Sequence, residues 1–519
     1  MFRLTQTVYP VIKTLKAPVR LLSTGQDAAL CQDAPPAGLE WDSALPYSEM
    51  PGPRPRPVIG NIMRFLPGGE FYKQETSRIF DILRETYGPV SKLSGILGKP
   101  DFVCVFDAVE VARVFRSEGP LPIRGGADSL DYYFRNMRKH CPPSLIISQG
   151  PEWQTFRSAV NQVMMQPRNT LQYVRPIDRV SQEFVDRMRV IRNDKLEMPP
   201  DFSHEISKWA LESITLVALD ARLGLLKQPD PEASQMIKAV RCMFDSMYEL
   251  DVLPSPWKLI STPAYRRFVS SIDFVTQLST KHVNKAMERL SRLPADEERD
   301  FSVLENLLIR TRDPQRAVTM ALDMLLAGID TTATVVSMVA YQLANNPEKQ
   351  LRLHEEVDRL LPNPTATLEK HQLKDMRYLR ACIKETMRLM PIALGLVRTT
   401  VKDMVIGGYQ VPKGTLTCMV THQLSVSEAY FPRADEFLPE RWLPGGDHIK
   451  CRHPYAFLPF GFGPRSCVGQ RLADLEIEIL LAKVFRNFSM EWNRPPAKTK
   501  FRMLFSFDDP LTFTVKDRI

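Results

Sequence analysis

The sequence predicts a large, mainly helical globular fold with a few short strands. Three observations carry this. Hydrophobic residues are 44% and charged residues 25% of the 519-residue chain, the proportions of an ordinary globular protein. Helical periodicity dominates from about residue 70 to residue 390, and strand-like runs are confined to 102–106, the surroundings of Gly407-Gly408, and 511–515. The eight cysteines, at 31, 104, 141, 242, 382, 418, 451 and 467, form no C-x-x-C pair, which argues against a disulfide scaffold or a zinc ribbon. The net charge of +8 is spread along the chain without arginine-rich runs, so an acidic partner or an anionic membrane is expected and nucleic acid is not.

The N-terminus changes character at Asp27. Residues 1–26 carry Arg3, Lys13, Lys16 and Arg20, several hydroxyls and no acid; from Asp27 to Glu49 there are five acids and no base. The first stretch has the composition of a mitochondrial transit peptide, with a disordered basic tail as the alternative, and 27–50 reads as an acidic linker. No apolar run reaches the length of a membrane span. Pro51 to Pro57 is proline-rich and stiff, and Gly60-Asn61 follows at a turn, so a single folded domain is placed at 51–519.

Trp153 and Arg157, four apart on a helix, put an indole N–H and a guanidinium on one face, where they could converge on carboxylates; a core tryptophan is the other reading. Trp257, Leu259, Ile260, Tyr265 and Phe268, with Lys258, Arg266 and Arg267, suit a peripheral membrane contact or an ordinary surface loop, because prolines at 254, 256 and 263 prevent a span.

A helix is expected from about Ala317 to Asn345, roughly 40 Å long, and its apolar middle should be buried. Ala327-Gly328-Ile329-Asp330-Thr331-Thr332 interrupts that middle. The small residues would let a large group lie against the backbone, Thr331 can bond back to a carbonyl, and Asp330 could pass protons from water; a kink with a solvated acid is the alternative. On the 376–389 helix Glu385 and Arg388 form an i, i+3 pair, a spacing usually found on exposed surfaces. Arg377, Arg380 and Lys384 give the same helix a cationic face beside the apolar row Met376, Leu379, Ile383 and Met387.

The stretch Phe460 to Gly469 sets one cysteine in a glycine-rich loop. A lone cysteine cannot build a zinc site, but it suffices as the single protein ligand of a haem iron. Gly463 and Gly469 would allow sharp turns against a flat macrocycle and aim N–H groups at the sulfur, while Arg465 offers a cation to a propionate. The helical run through Leu472, Leu475, Ile479 and Lys483 places Cys467 at a helix N-terminus, which favours thiolate. An inert core cysteine is the alternative.

This loop resembles the F-x-x-G-x-R-x-C-x-G motif of the cytochrome P450 superfamily, matched at Phe460, Gly463, Arg465, Cys467 and Gly469. Ala327 to Thr331 is similar to that family's A-G-x-D-T oxygen-activation segment, which makes Asp330 and Thr331 the proton-delivery pair. Glu385 and Arg388 resemble its E-x-x-R motif, joined by Arg441 of Pro439-Glu440-Arg441-Trp442 in a network that braces the haem loop. Arg398 matches a further propionate arginine, and the comparison makes Trp153 and Arg157 haem contacts too. The resemblance spans about 51–513. It implies a triangular prism of helices with small β-sheets around a buried haem b held by the Cys467 thiolate. It also implies O2 as cosubstrate and hydroxylation or epoxidation of an apolar small molecule, steroid or xenobiotic.

Leu66 to Gly69, Tyr378 to Glu385 and Gly461 to Cys467 look most like insect mitochondrial members. That likeness implies electrons from NADPH through a ferredoxin reductase and an adrenodoxin-type ferredoxin docking at Arg377, Arg380 and Lys384, on the matrix side of the inner-membrane surface. Such relatives often carry two arginines after the cysteine's glycine; here they are Gln470 and Arg471. A haem-thiolate isomerase and a haem-binding sensor or carrier without turnover are rivals, and Asp330 and Thr331 argue against both. Leu121 to Ser148 and Pro391 to Leu396 are the expected pocket walls.

Overall fold

The computed structural model describes residues 41–518 except 58, 139–141, 229, 293–301, 312 and 447–448, so the expected transit peptide and most of the expected acidic linker lie outside the described residues. The fold is mainly α with small, separate sheets. Its axis is the helix Pro314–Asn345, which starts three residues before the expected Ala317 because Pro314 itself occupies the first helical position and Asp313 caps it, accepting from the Gln315 and Arg316 N–H groups. Length and composition would let this helix cross a membrane, yet 78% of its most apolar window is buried. The helices Phe202–Leu219, Pro263–Ser291, Val303–Thr311, Arg377–Leu389 and Gln470–Asn487 all pack on it and share one main hydrophobic core.

A four-stranded sheet lies to one side, in the order Val90–Leu93, Phe102–Val105, Leu416–Met419, Leu396–Thr399. Its middle pair is parallel, with Cys104 opposite Cys418, and both outer pairs are antiparallel. Alternation splits the side chains: Val103, Val105 and Met419 enter one apolar cluster, Cys104 and Cys418 another. Gly407 and Gly408 turn a hairpin at φ +60° and +85°, as their pairing in the sequence suggests. The last strand is Thr514–Asp517 rather than 511–515, set by its antiparallel pairing with Phe488–Glu491, while Leu511 and Phe513 enter the main core ahead of it.

The 254–268 segment departs from expectation. Trp257 is only 4% exposed, donates its indole N–H to the Leu250 carbonyl at 2.9 Å and stacks on Tyr265 at 5.5 Å, while Phe268 is wholly buried. Their aromatic area is better satisfied by neighbouring rings than by an outer surface. Leu259 and Ile260 alone of the five protrude strongly, at 83% and 61% exposure. Lys258 pairs with Asp128 at 2.6 Å and Arg267 with Glu249 at 2.7 Å.

Candidate active site

The Cys467 loop is a tight strap. The Cys467 N–H closes on the Phe460 carbonyl at 2.8 Å, and a short 3-10 turn spans Gly463–Arg465 before the helix Gln470–Asn487 begins. Gly461 and Gly463 take φ +75° and +69°, a region that glycine enters without strain. Gly469 does not: its φ is −86°, so its part is not a sharp turn. Its backbone N–H instead donates to the Cys467 sulfur and draws the thiol pKa down. Burial pushes that pKa up by more than the Gly469 N–H, Arg157 and Arg124 lower it, contrary to the thiolate preference expected from the helix terminus. A metal cation on the sulfur would reverse that balance.

Cys467 keeps accessible surface although it lies deep within the chain, so that surface faces inward. Charged groups gather beside it. Arg157 donates to the Ser466 carbonyl at 2.8 Å, with its Nε left unpartnered. Arg465 lies 3.9 Å from the centre of the Trp153 ring and donates to the carbonyls of Pro122 and Ser148 and to Gln149 Oε1 at 3.0, 2.8 and 2.6 Å. The Trp153 ring thus supports Arg465. Arg398 is held at 2.7 Å by Glu118. Burial, then the charges of Arg124, Arg398 and Arg157, pull the Arg465 pKa down to about 9, with Glu118 opposing. Arg124 falls within the expected pocket wall Leu121 to Ser148 but in no spaced motif, and Glu118 in neither; only the fold brings them here.

The central helix presents a second group. Ala327 is exposed and Thr331 half-buried in the midst of a buried helix, four residues apart and so on one face. Thr331 donates back to the Ala327 carbonyl at 2.6 Å, the backward bond its position suggests. Gly328 has a different use from the one expected: a Cβ there would lie 2.9 Å from Ile214, so it admits the neighbouring helix Phe202–Leu219. Asp330 is buried with Oδ1 unpartnered, 4.0 Å from Arg241. Burial raises its carboxyl to about 6, against the pull of Arg241. Arg241 lines a surface cleft of 310 Å³ with His204, Asp245, Glu249 and Arg502.

Glu385, Arg388 and Arg441 meet with no side-chain exposure. Glu385 accepts from Arg388 Nη2 at 2.8 Å and Nε at 3.0 Å, and from Arg441 Nε, Trp442 Nε1 and the Leu438 N–H at 2.9 Å each. Arg388 ties in the carbonyls of Ser425, Ala434 and Glu436. The Trp442 contribution was not foreseen. The cationic row on Arg377–Leu389 is broken: Arg380 forms a two-pronged pair with Glu478 at 2.6 and 2.8 Å, leaving Arg377 and Lys384 as the exposed charges of the three.

The chain matches the family model "Cytochrome P450" over residues 50–512. It is 39% identical over 503 residues to "Cytochrome P450 CYP12A2" of Musca domestica, covering 93% of each chain. It is also 39% identical over 496 residues to "Probable cytochrome P450 12c1, mitochondrial" of Drosophila melanogaster, covering 92% of this chain and 93% of the relative. "Probable cytochrome P450 49a1" of the same fly is 36% identical over 518 residues, 96% of this chain and 88% of that one.

Proposed function

The chain belongs to the cytochrome P450 family, and we propose that this haem-thiolate monooxygenase oxidises an apolar steroid or xenobiotic in the mitochondrion, drawing electrons from NADPH through a ferredoxin reductase and an adrenodoxin-type ferredoxin. The supporting observation is the charge set around Cys467. Arg124, Arg157, Arg398 and Arg465 gather beside Cys467, and the carboxylate set against them, Glu118, pairs with Arg398 and acts on Arg465, which leaves an excess of positive charge. A thiolate and two propionates would offset that excess, so the residues fit a haem b.

Haem supplies, when bound, the capacity to activate O2 with two electrons and two protons. Cys467 would hold it from one side, with the Gly469 N–H moderating the sulfur's charge. Trp153 and the arginines would fix its carboxylates. Thr331, beside the accessible Ala327, would hold a water or hydroxyl, and Asp330 would exchange protons with solvent past Arg241 and its cleft. The Glu385, Arg388 and Arg441 network would fix the 425–449 segments that lead into the loop.

Mitochondrial placement is supported by several fly relatives whose names carry that word. Arg377 and Lys384 would receive the acidic ferredoxin. Leu259 and Ile260, rather than Trp257 or Phe268, would touch the matrix side of the inner membrane.

The test is reconstitution with a ferredoxin, its reductase and NADPH against ecdysteroid precursors and insecticides. Oxygen-dependent product and a thiolate-type carbon monoxide spectrum are expected from the wild type, and both should be lost in Cys467→Ala. Thr331→Ala should bind haem and substrate yet form less product per NADPH; unchanged coupling would remove its role.

A further inference from the structure

Glu118 stands at the C-terminal cap of the helix Ala108–Ser117 and is 7% exposed. Its Oε2 accepts from Arg398 Nε at 2.7 Å. Its Oε1 has no hydrogen-bond partner among the described residues and points at Gly463, where a Cβ would come within 2.7 Å of it. Gly463 is thus glycine for two reasons, its φ and this carboxylate. Arg398 donates in turn to the Phe462 carbonyl at 3.3 Å and covers the Phe115 ring at 5.2 Å. A continuous chain therefore runs from the cap through Arg398 to the limb of the loop just before Cys467. The Glu385 network holds other segments, at 425–449.

Of the charged groups acting on Arg465, Glu118 is the negative one. Burial pushes its own carboxyl up, and Arg398, then Arg465, pull it down. We propose that Glu118 is a positioning residue with two effects: through Arg398 it anchors the Phe462–Gly463 limb, and by its own charge it lowers the electrostatic potential at the edge of the haem. This inference rests on the haem-thiolate reading above. A buried carboxylate is weakly screened, so its charge acts on any centre nearby that gains an electron. Removing it should make reduction easier.

The experiment is a redox titration of the loaded enzyme, with haem transfer to apomyoglobin as a second readout. Glu118→Gln should shift the midpoint potential positively and release haem severalfold faster. Glu118→Asp keeps the charge on a shorter stem, so its potential should stay near the wild-type value while haem still leaves faster. Arg398→Gln should shift the potential negatively, and the Glu118→Gln, Arg398→Gln double variant, which strands no buried charge, should return towards the wild type. That double variant measured against Arg398→Gln isolates the Glu118 charge even if Glu118→Gln alone does not fold. Equal potentials in that pair, with intact thiolate spectra, would reduce Glu118 to a structural ion pair and overturn the proposal. A wild type without the thiolate spectrum would overturn the haem reading itself.

Discussion

The Arg465 guanidinium lies 3.9 Å from the centre of the Trp153 ring, so a residue two before the cysteine rests on a helix from a distant part of the chain. A desolvated stack of this kind is worth up to ~2 kcal/mol, and loss of a buried tryptophan adds a cavity of greater cost. Trp153→Leu should keep the fold but lower haem content and speed haem loss. Absorbance ratios of Soret to protein bands after gel filtration would check this; unchanged retention would leave Trp153 as simple core.

Glu476, on the helix that follows Cys467, is buried with Oε1 lacking a hydrogen-bond partner among the described residues, and burial pushes its carboxyl up to about 8 from an ordinary 4.5. The folded chain holds this proton more tightly than the unfolded chain. Stability should therefore fall as pH rises from about 4.5 through 8, by on the order of 3–5 kcal/mol from this group. Glu476→Gln should lack that slope and be the more stable protein at pH 8, with little difference at pH 5. Urea unfolding at the two values would show it.

Electron delivery should separate the three cations of the Arg377–Leu389 helix. Lys384→Glu and Arg377→Glu should slow ferredoxin-driven reduction several-fold at low salt, and Arg377→Glu should leave thermal stability unchanged. Arg380→Gln strands Glu478, 8% exposed at its side chain, so it should lower the melting temperature as well. Stopped-flow reduction with a parallel melting curve distinguishes the two effects; rates indifferent to Lys384 reversal and to salt would remove the docking face.

Membrane contact should depend on two side chains. Leu259→Ser with Ile260→Ser should reduce sedimentation with cardiolipin-containing liposomes, since each aliphatic side chain buried in lipid contributes about 1.5–3 kcal/mol. Trp257→Ser should instead lower stability, through the lost Tyr265 stack and Leu250 bond. Equal partition of wild type and the double serine variant would dismiss the contact.

Much was legible where local pattern and packing agree. The long central helix and the glycine hairpin are read from periodicity and turn chemistry over a few residues, whereas the Glu385–Arg388 spacing alone reads as an exposed pair and only the family resemblance gave it a role. What the sequence hid was nonlocal. Trp257 reads as interfacial because its neighbours are basic and proline-broken, and only the fold supplies Tyr132 and Tyr265 to cover it. Arg380 reads as a free cation until the helix carrying Glu478 is laid beside it. Gly328 and Gly469 illustrate a further limit: a glycine can mark a close neighbour or a useful N–H as readily as a left-handed turn.

The two halves of the site differ in how far apart their parts lie along the chain. Glu385 meets Arg388, Leu438, Arg441 and Trp442, all within 57 residues, whereas Arg157 meets Ser466 across 309 and Arg465 meets Pro122 across 343. During synthesis the arginine side cannot close until Arg465 and Ser466 have emerged, long after the helices around Trp153 are made. Cofactor loading must therefore wait for the Cys467 loop. Until then a partly folded chain would hold its early helices with the arginine side of the site open, dependent on haem supply to finish.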